Sequence, residues 1–124
     1  MARILIVEDE PQVLTLATSV LQQVGHEVIS AATLSEAEAV IDDTAQKFDL
    51  LFTEIELGHE KESGITLGKL IEETRPSIPV LYTSERALTD GMLTLFVAPS
   101  AFLPKPYTAQ ELTEAVEKLF SLEA

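Results

Sequence analysis

Two kinds of apolar pattern alternate along this chain. The short unbroken run at residues 50–53 reads as a strand buried on both faces of a parallel sheet, residues 4–7 make a second fully apolar run, and 80–83 and 101–103 read as the fourth and fifth strands. Residues 26–32 read as a further strand, more polar than the others. Between these runs the apolar residues recur at helical spacing. Pro11 opens the first helix, with a stripe of Val13, Leu14, Leu16, Ala17, Val20, Leu21 and Val24, and Gly25 is a natural C-cap. Ser35 begins a second helix, burying Ala37, Val40, Ile41 and Ala45. A polar loop at 58–63 leads to Gly64, which introduces a third helix through Thr66, Leu67, Leu70 and Ile71, stopped by Pro76. Residues 88–97 make a weaker helix, interrupted by Gly91. Thr108 caps the last helix with Glu111 three residues on, a capping box, and its apolar face is Leu112, Val116, Leu119 and Phe120.

Five strands alternating with five helices predict a three-layer α/β sandwich with right-handed crossovers. The most hydrophobic strands belong at the centre and the polar second strand at an edge. That points to strand order 2-1-3-4-5, with its topological switch between strands one and three.

Length and charge narrow the possibilities. At 124 residues the expectation is one domain, residues 1–124, with no output domain, as a stand-alone unit or a fragment of a longer protein. It has no cysteine, which excludes disulfides and thiolate chemistry. No apolar run approaches membrane-spanning length, and residues 1–3 lead straight into a strand, so a soluble cytoplasmic protein is the expectation. The excess of 21 acidic over 8 basic residues, a formal charge of -13, argues against binding a nucleic-acid backbone and favours divalent cations or basic partner surfaces.

The chemistry gathers at the carboxyl ends of the strands, where open α/β sheets bind ligands. The third strand delivers Glu54 to that rim, and the first ends on Glu8, Asp9 and Glu10. The carboxylates of Glu8, Asp9 and Glu54 meeting there suit a hard cation such as Mg2+. The same acids also suit the start of a helix, where the macrodipole favours negative charge. Ser84 ends the fourth strand with a hydroxyl, and Lys105 ends the fifth between two prolines, its ammonium able to lean over the rim. Acids, hydroxyl and ammonium together make a phosphoryl-binding constellation.

Over its whole length the chain resembles the receiver domains of two-component response regulators. The pieces that carry the resemblance are Glu8-Asp9, Asp49-Leu50-Leu51-Phe52-Thr53-Glu54, Pro79-Val80-Leu81-Tyr82-Thr83-Ser84 and Phe102-Leu103-Pro104-Lys105-Pro106. The resemblance implies a flavodoxin-like receiver fold and a signalling module rather than an enzyme. It implies that Glu8 and Asp9 bind Mg2+, with Glu54 and the Glu56 carbonyl as further ligands. Ser84 would be the switch hydroxyl, Phe102 the switch aromatic, Lys105 the phosphate-contacting lysine, and Lys105-Pro106 a cis bond. Partners would be a histidine kinase or another signalling protein, met through the face of helix 4, strand 5 and helix 5 or through helix 1.

Glu54 departs from the pattern, because the family carries its phosphoacceptor aspartate there. The extra methylene advances the carboxylate by about 1.5 Å into space an incoming phosphoryl group needs. Glu85 stands where a small residue usually leaves the pocket open, and Glu56 adds negative charge. The expected function is a degenerate receiver, signalling by protein–protein contact without stable phosphorylation at Glu54. The alternative is a working acceptor that takes phosphate from a histidine kinase or phosphotransfer protein. A flavin carrier of the same topology is disfavoured, since no Gly/Ser/Thr-rich phosphate loop follows the first strand.

Overall fold

The computed structural model describes residues 2–58 and 60–122. Met1, His59 within the expected polar loop, and the last two residues lie outside the described residues. Five parallel strands form one sheet: β1 (Arg3–Val7), β2 (Glu27–Ala31), β3 (Leu50–Glu54), β4 (Val80–Ser84) and β5 (Ser100–Pro104). Their order is β2-β1-β3-β4-β5, as the apolar pattern predicts. Every residue of β3 and β4 is buried, whereas β2 is partly exposed at its edge.

Helices α1 (Pro11–Gln23) and α5 (Ala109–Leu122) cover one face of the sheet, α2 (Leu34–Asp42) and α3 (Ser63–Thr74) the other. Because successive strand residues point to opposite faces, two cores result. Ile4, Ile6, Leu50, Phe52 and Leu81 pack with Leu21, Leu112 and Val116. Leu5, Val7, Leu51, Val80 and Tyr82 pack with Ala37, Ile41, Leu67 and Ile71. Fully burying each of the larger side chains stabilises by about 1.5–3 kcal/mol.

Local chemistry sets the helix ends. At the end of α1, Gly25 has φ 96°, and its N–H and that of His26 bond to the carbonyls of Gln22 and Leu21, a Schellman motif. The capping box of α5 is present: Thr108 Oγ1 accepts from the Glu111 N–H at 3.1 Å, and Glu111 Oε1 accepts from the Thr108 N–H at 2.8 Å.

Several expectations need correction. Leu16 and Val24 lie off the buried stripe of α1, 55% and 47% exposed. The second strand is shorter than residues 26–32. The second helix starts at Leu34, because the Thr33 hydroxyl caps it by accepting from the Glu36 N–H. It ends at Asp42, which leaves Ala45 exposed. The third helix begins one residue earlier than Gly64, at Ser63.

The largest departure is α4, which spans Asp90–Leu93 instead of residues 88–97. Thr89 caps its start, and beyond it Leu95 and Phe96 bond back three residues, to Met92 and Leu93. Phe96 instead stacks on Tyr82 with centroids 4.0 Å apart, and the Val97 N–H donates to the Tyr82 hydroxyl. Those contacts replace further helical turns.

At the end of the sheet where the strands begin, Arg75 follows α3. Its guanidinium lies 4.4 Å from the Phe48 ring centroid and donates to the carbonyls of Gln46, Ile41 and Asp43. It ties α3 to the C-terminal end of α2.

Candidate functional site

Strand geometry brings the predicted residues to one rim. Glu8 follows β1, and its N–H donates to the Ala31 carbonyl at 3.0 Å, which fixes its backbone against β2. Glu54 closes β3 and pairs in register with Thr83. Ser84 closes β4, and its carbonyl accepts from the Lys105 N–H at 3.0 Å, which places the lysine beside it. The loop after β3 is held close. The Gly64 N–H donates to the Ile55 carbonyl at 2.8 Å, and a Cβ at Gly64 would overlap the Glu54 carbonyl and come 2.8 Å from the Ile55 Cα. Only glycine permits this approach.

At the centre stands Lys105. Its Nζ lies 2.6 Å from Glu54 Oε2 and 2.8 Å from Glu8 Oε1, with Glu10 Oε1 farther off at 3.7 Å. The side chains of Lys105, Glu8 and Glu54 are 6%, 3% and 7% exposed. Two carboxylates against one ammonium leave one negative charge in excess in a buried space, and burial disfavours it. Burial accordingly pushes Glu54 up to about 7, against the opposing pull of Lys105. Glu8 is raised for the same reason. Burial alone would lower Lys105, but the contacts with Glu54 and Glu8 win and its net shift is upward. Tyr107, edge-on to Phe52 at 5.9 Å, is pushed up to about 12 by burial and then by the charge of Glu8.

The remaining expected residues are placed nearby but engaged elsewhere. Asp9 Oδ2 accepts from the Gly58 N–H at 2.8 Å. Glu56 Oε1 pairs with Arg86 Nε at 2.9 Å, an arginine that sequence reasoning missed. The Ser84 hydroxyl oxygen accepts from the Arg86 N–H at 3.0 Å, and among the described residues Ser84 makes no hydrogen bond to Glu54. Phe102 is half-buried, its ring 6.3 Å from that of Phe96. The Lys105-Pro106 bond is cis, and so is Ala98-Pro99.

A cleft of about 250 Å3 opens between Asp9, Glu10, Glu54, Glu56, Ser84 and Arg86, with Glu85 on its rim. Among the described residues no three acidic side chains stand together as a cation cage. The carboxylates of Glu8, Asp9 and Glu54 converge on the rim, each turned to a donor of the chain itself, whereas the Glu56 atom that meets Arg86 is Oε1 and not the carbonyl expected as a ligand. With Lys105 between them, the Glu8 and Glu54 carboxylates as arranged do not fit a divalent cation.

Residues 4–117 match the response regulator receiver domain family. The transcriptional regulatory protein CpxR of Escherichia coli (strain K12) is 27% identical over 119 residues, covering 96% of this chain and 49% of that protein. The chain thus spans about half the length of that relative. A response regulator receiver protein from Sinorhizobium medicae WSM419 superposes with a TM-score of 0.88 at 25% identity, covering 98% of this chain and 96% of that one. A CheY-like receiver domain protein from Methanospirillum hungatei JF-1 gives 0.86 at 25% identity, with 99% and 96% covered. The family match covers most of the residues and the solved receiver structures share the fold, so the chain belongs to the response regulator receiver domain family.

Proposed function

We propose that this chain is a degenerate receiver domain, which signals by protein–protein contact without stable phosphorylation at Glu54. Receiver domains interact with histidine kinases and other signalling proteins, and they generally bind Mg2+ at the phosphorylation site. One contact carries the proposal: the Glu54 carboxylate, at the acceptor position, is buried and held by Lys105 at 2.6 Å. An acceptor must present a free oxygen in line with the incoming phosphorus. Here the longer side chain advances its carboxylate by about 1.5 Å, and the lysine that would steady a phosphoryl group holds the acid instead. Glu85 and the Glu56–Arg86 pair narrow the approach.

A weak Mg2+ site at Glu8, Asp9, Glu54 and Glu56 would need these acids released from their present partners. Contact with other proteins would use the face of α4, β5 and α5, where Leu93 is 50% exposed, or the side of α1. There a groove of about 400 Å3 is lined by Val13, Leu16, Glu85, Lys105, Pro106 and Tyr107.

The test is to incubate the protein with acetyl phosphate and Mg2+ and read its intact mass. No phosphoryl increment is expected on the native chain, while Glu54→Asp is expected to gain partial labelling. An increment mapped to Glu54 by peptide sequencing would overturn the proposal in favour of a working acceptor. If Glu54→Asp also stays unlabelled, Glu85 or Glu56 is the stronger block.

A further inference from the structure

Where the strands begin, at the far end of the sheet from Glu54, the fold gathers a second set of groups. The segment between α2 and β3 brings Lys47, exposed, and Phe48, buried, to that end, and Arg75 follows α3 there. A cleft of about 780 Å3 opens beside them, with Thr44, Ser77, Ile78 and Phe120 among its walls. Sites for small organic molecules commonly run to about 300–1,000 Å3, with apolar walls and a few placed polar groups. We propose that this cleft binds a small aromatic monoanion, a planar ring bearing one carboxylate, with the carboxylate at Lys47 and the ring against Phe120, Ile78 and Arg75. This stands whether or not Glu54 accepts phosphate.

Charge selects the anion. The whole chain has a formal charge of -13, yet the charged side chains lining the cleft are Lys47, Arg75 and Asp49, two positive against one negative. Among the described residues no carboxylate forms an ion pair with Lys47 or Arg75. The carboxyl end of a helix favours cations, and α2 ends here. Arg75 already answers it, by donating to the carbonyls of Ile41, Asp43 and Gln46. Asp49 Oδ2 likewise accepts from the Arg3 N–H at 2.8 Å. A cationic ligand therefore finds these acceptors taken, and one positive charge is left facing the cleft. Donor geometry selects the ring. Forked capture of a phosphate needs a free pair of arginine N–H groups, and Nη1 and Nη2 of Arg75 are both committed. What Arg75 offers instead is a flat, weakly hydrated plane, already 4.4 Å from the Phe48 centroid, and such planes stack on aromatic rings. Phe120 and Ile78 are only half-buried, so a ring laid on them takes apolar surface out of water. The Lys47 ammonium and the hydroxyls of Thr44 and Ser77 supply donors to the carboxylate.

The test titrates naphthoate, and its uncharged counterpart naphthamide, into the isotope-labelled full chain and follows the backbone amide resonances. Naphthoate is expected to saturate at millimolar concentration or below and to shift Lys47, Phe48, Ser77 and Ile78 most. Naphthamide should bind about fivefold more weakly, because it lacks one solvent-exposed charge contact. Lys47 is exposed, so Lys47→Gln should fold as the native chain does. It should weaken naphthoate about fivefold and leave naphthamide within about twofold. Phe120→Leu, which removes the ring and keeps an apolar side chain, should weaken both compounds alike. Shifts centred on Tyr107, or on Glu54 and Ser84, overturn the proposal. So do equal affinities for acid and amide, and an absence of saturation. Should Phe120→Leu fail to fold, the comparison of acid and amide on the native chain and Lys47→Gln decides alone.

Discussion

A cation is packed against each end of the sheet, and the two are used differently. Where the strands begin, Arg75 lies over Phe48 and spends its N–H groups on the carbonyls of Gln46, Ile41 and Asp43, all neutral acceptors. Planar stacking with several fixed donors suits arginine, and no partner in that cluster titrates near neutral pH. Where the strands finish, Lys105 faces two buried carboxylates and cannot neutralise both. One end is a strut between α2 and α3. The other holds uncompensated charge at the place where this fold meets its ligands. The difference lies in the partners more than in the cation, and it can be tested from both sides.

The largest effect should come from Lys105→Met, which leaves Glu8 and Glu54 facing each other without a counter-charge. Removing one partner of a buried ion pair costs about 3–5 kcal/mol, here at neutral pH, and urea unfolding would read it. The loss should shrink on acidification, as the carboxylates take up protons. A loss independent of pH would erase the contrast with Arg75.

Next in size is the pH dependence of the native chain. The folded state holds the Glu54 proton up to about 7, against 4.5 for the ordinary carboxyl, so it binds that proton more tightly than the unfolded chain does. The stability this contributes is fully present below about pH 4.5 and is lost as pH rises through about 7. Glu8 acts in the same direction, and Lys105, raised from 10.5, stays charged throughout the window. One such group gives a slope of at most about 1.4 kcal/mol per pH unit. Glu54→Gln should flatten it in denaturant titrations across this range, and an unchanged slope would move the effect to another group.

The smallest effect should be that of Arg75→Ala. It removes a cation–π contact and several charge-assisted bonds, for a loss of about 2 kcal/mol. That loss should be the same between about pH 5 and 8, because carbonyls and a phenyl ring do not titrate there. A marked pH dependence would show that the strut is coupled to a carboxylate after all.

The sheet was legible because strands buried on both faces leave unbroken apolar runs, and the polar second run declared itself an edge. The rim residues were legible because each follows such a run directly. The fourth helix was not. Met92, Leu95 and Phe96 do pack on the core, as the apolar pattern suggests, but Phe96 reaches it by stacking on Tyr82 instead of by adding helical turns. Periodicity reports that side chains face inward and cannot tell a helix from a chain pinned by a tertiary contact. Arg86 and Arg75 left no mark either. The partners of Arg86 and Arg75 lie about thirty residues away in sequence, and a lone charge has no periodic signature.

The placement of the tyrosines also bears on how the molecule can be observed. The chain has no tryptophan and two tyrosines, one in each core layer. Tyr82 is wholly buried under Phe96, while Tyr107 rests edge-on against Phe52 beside the acid cluster. Ultraviolet emission from the native chain therefore comes from two phenols, each reporting on a different layer. Both hydroxyls are held above their ordinary ionisation range by burial, so an alkaline absorbance scan should see tyrosinate form late. Tyr82→Phe would leave Tyr107 as the sole emitter. Disturbance at the rim could then be followed by intrinsic fluorescence without attaching a dye.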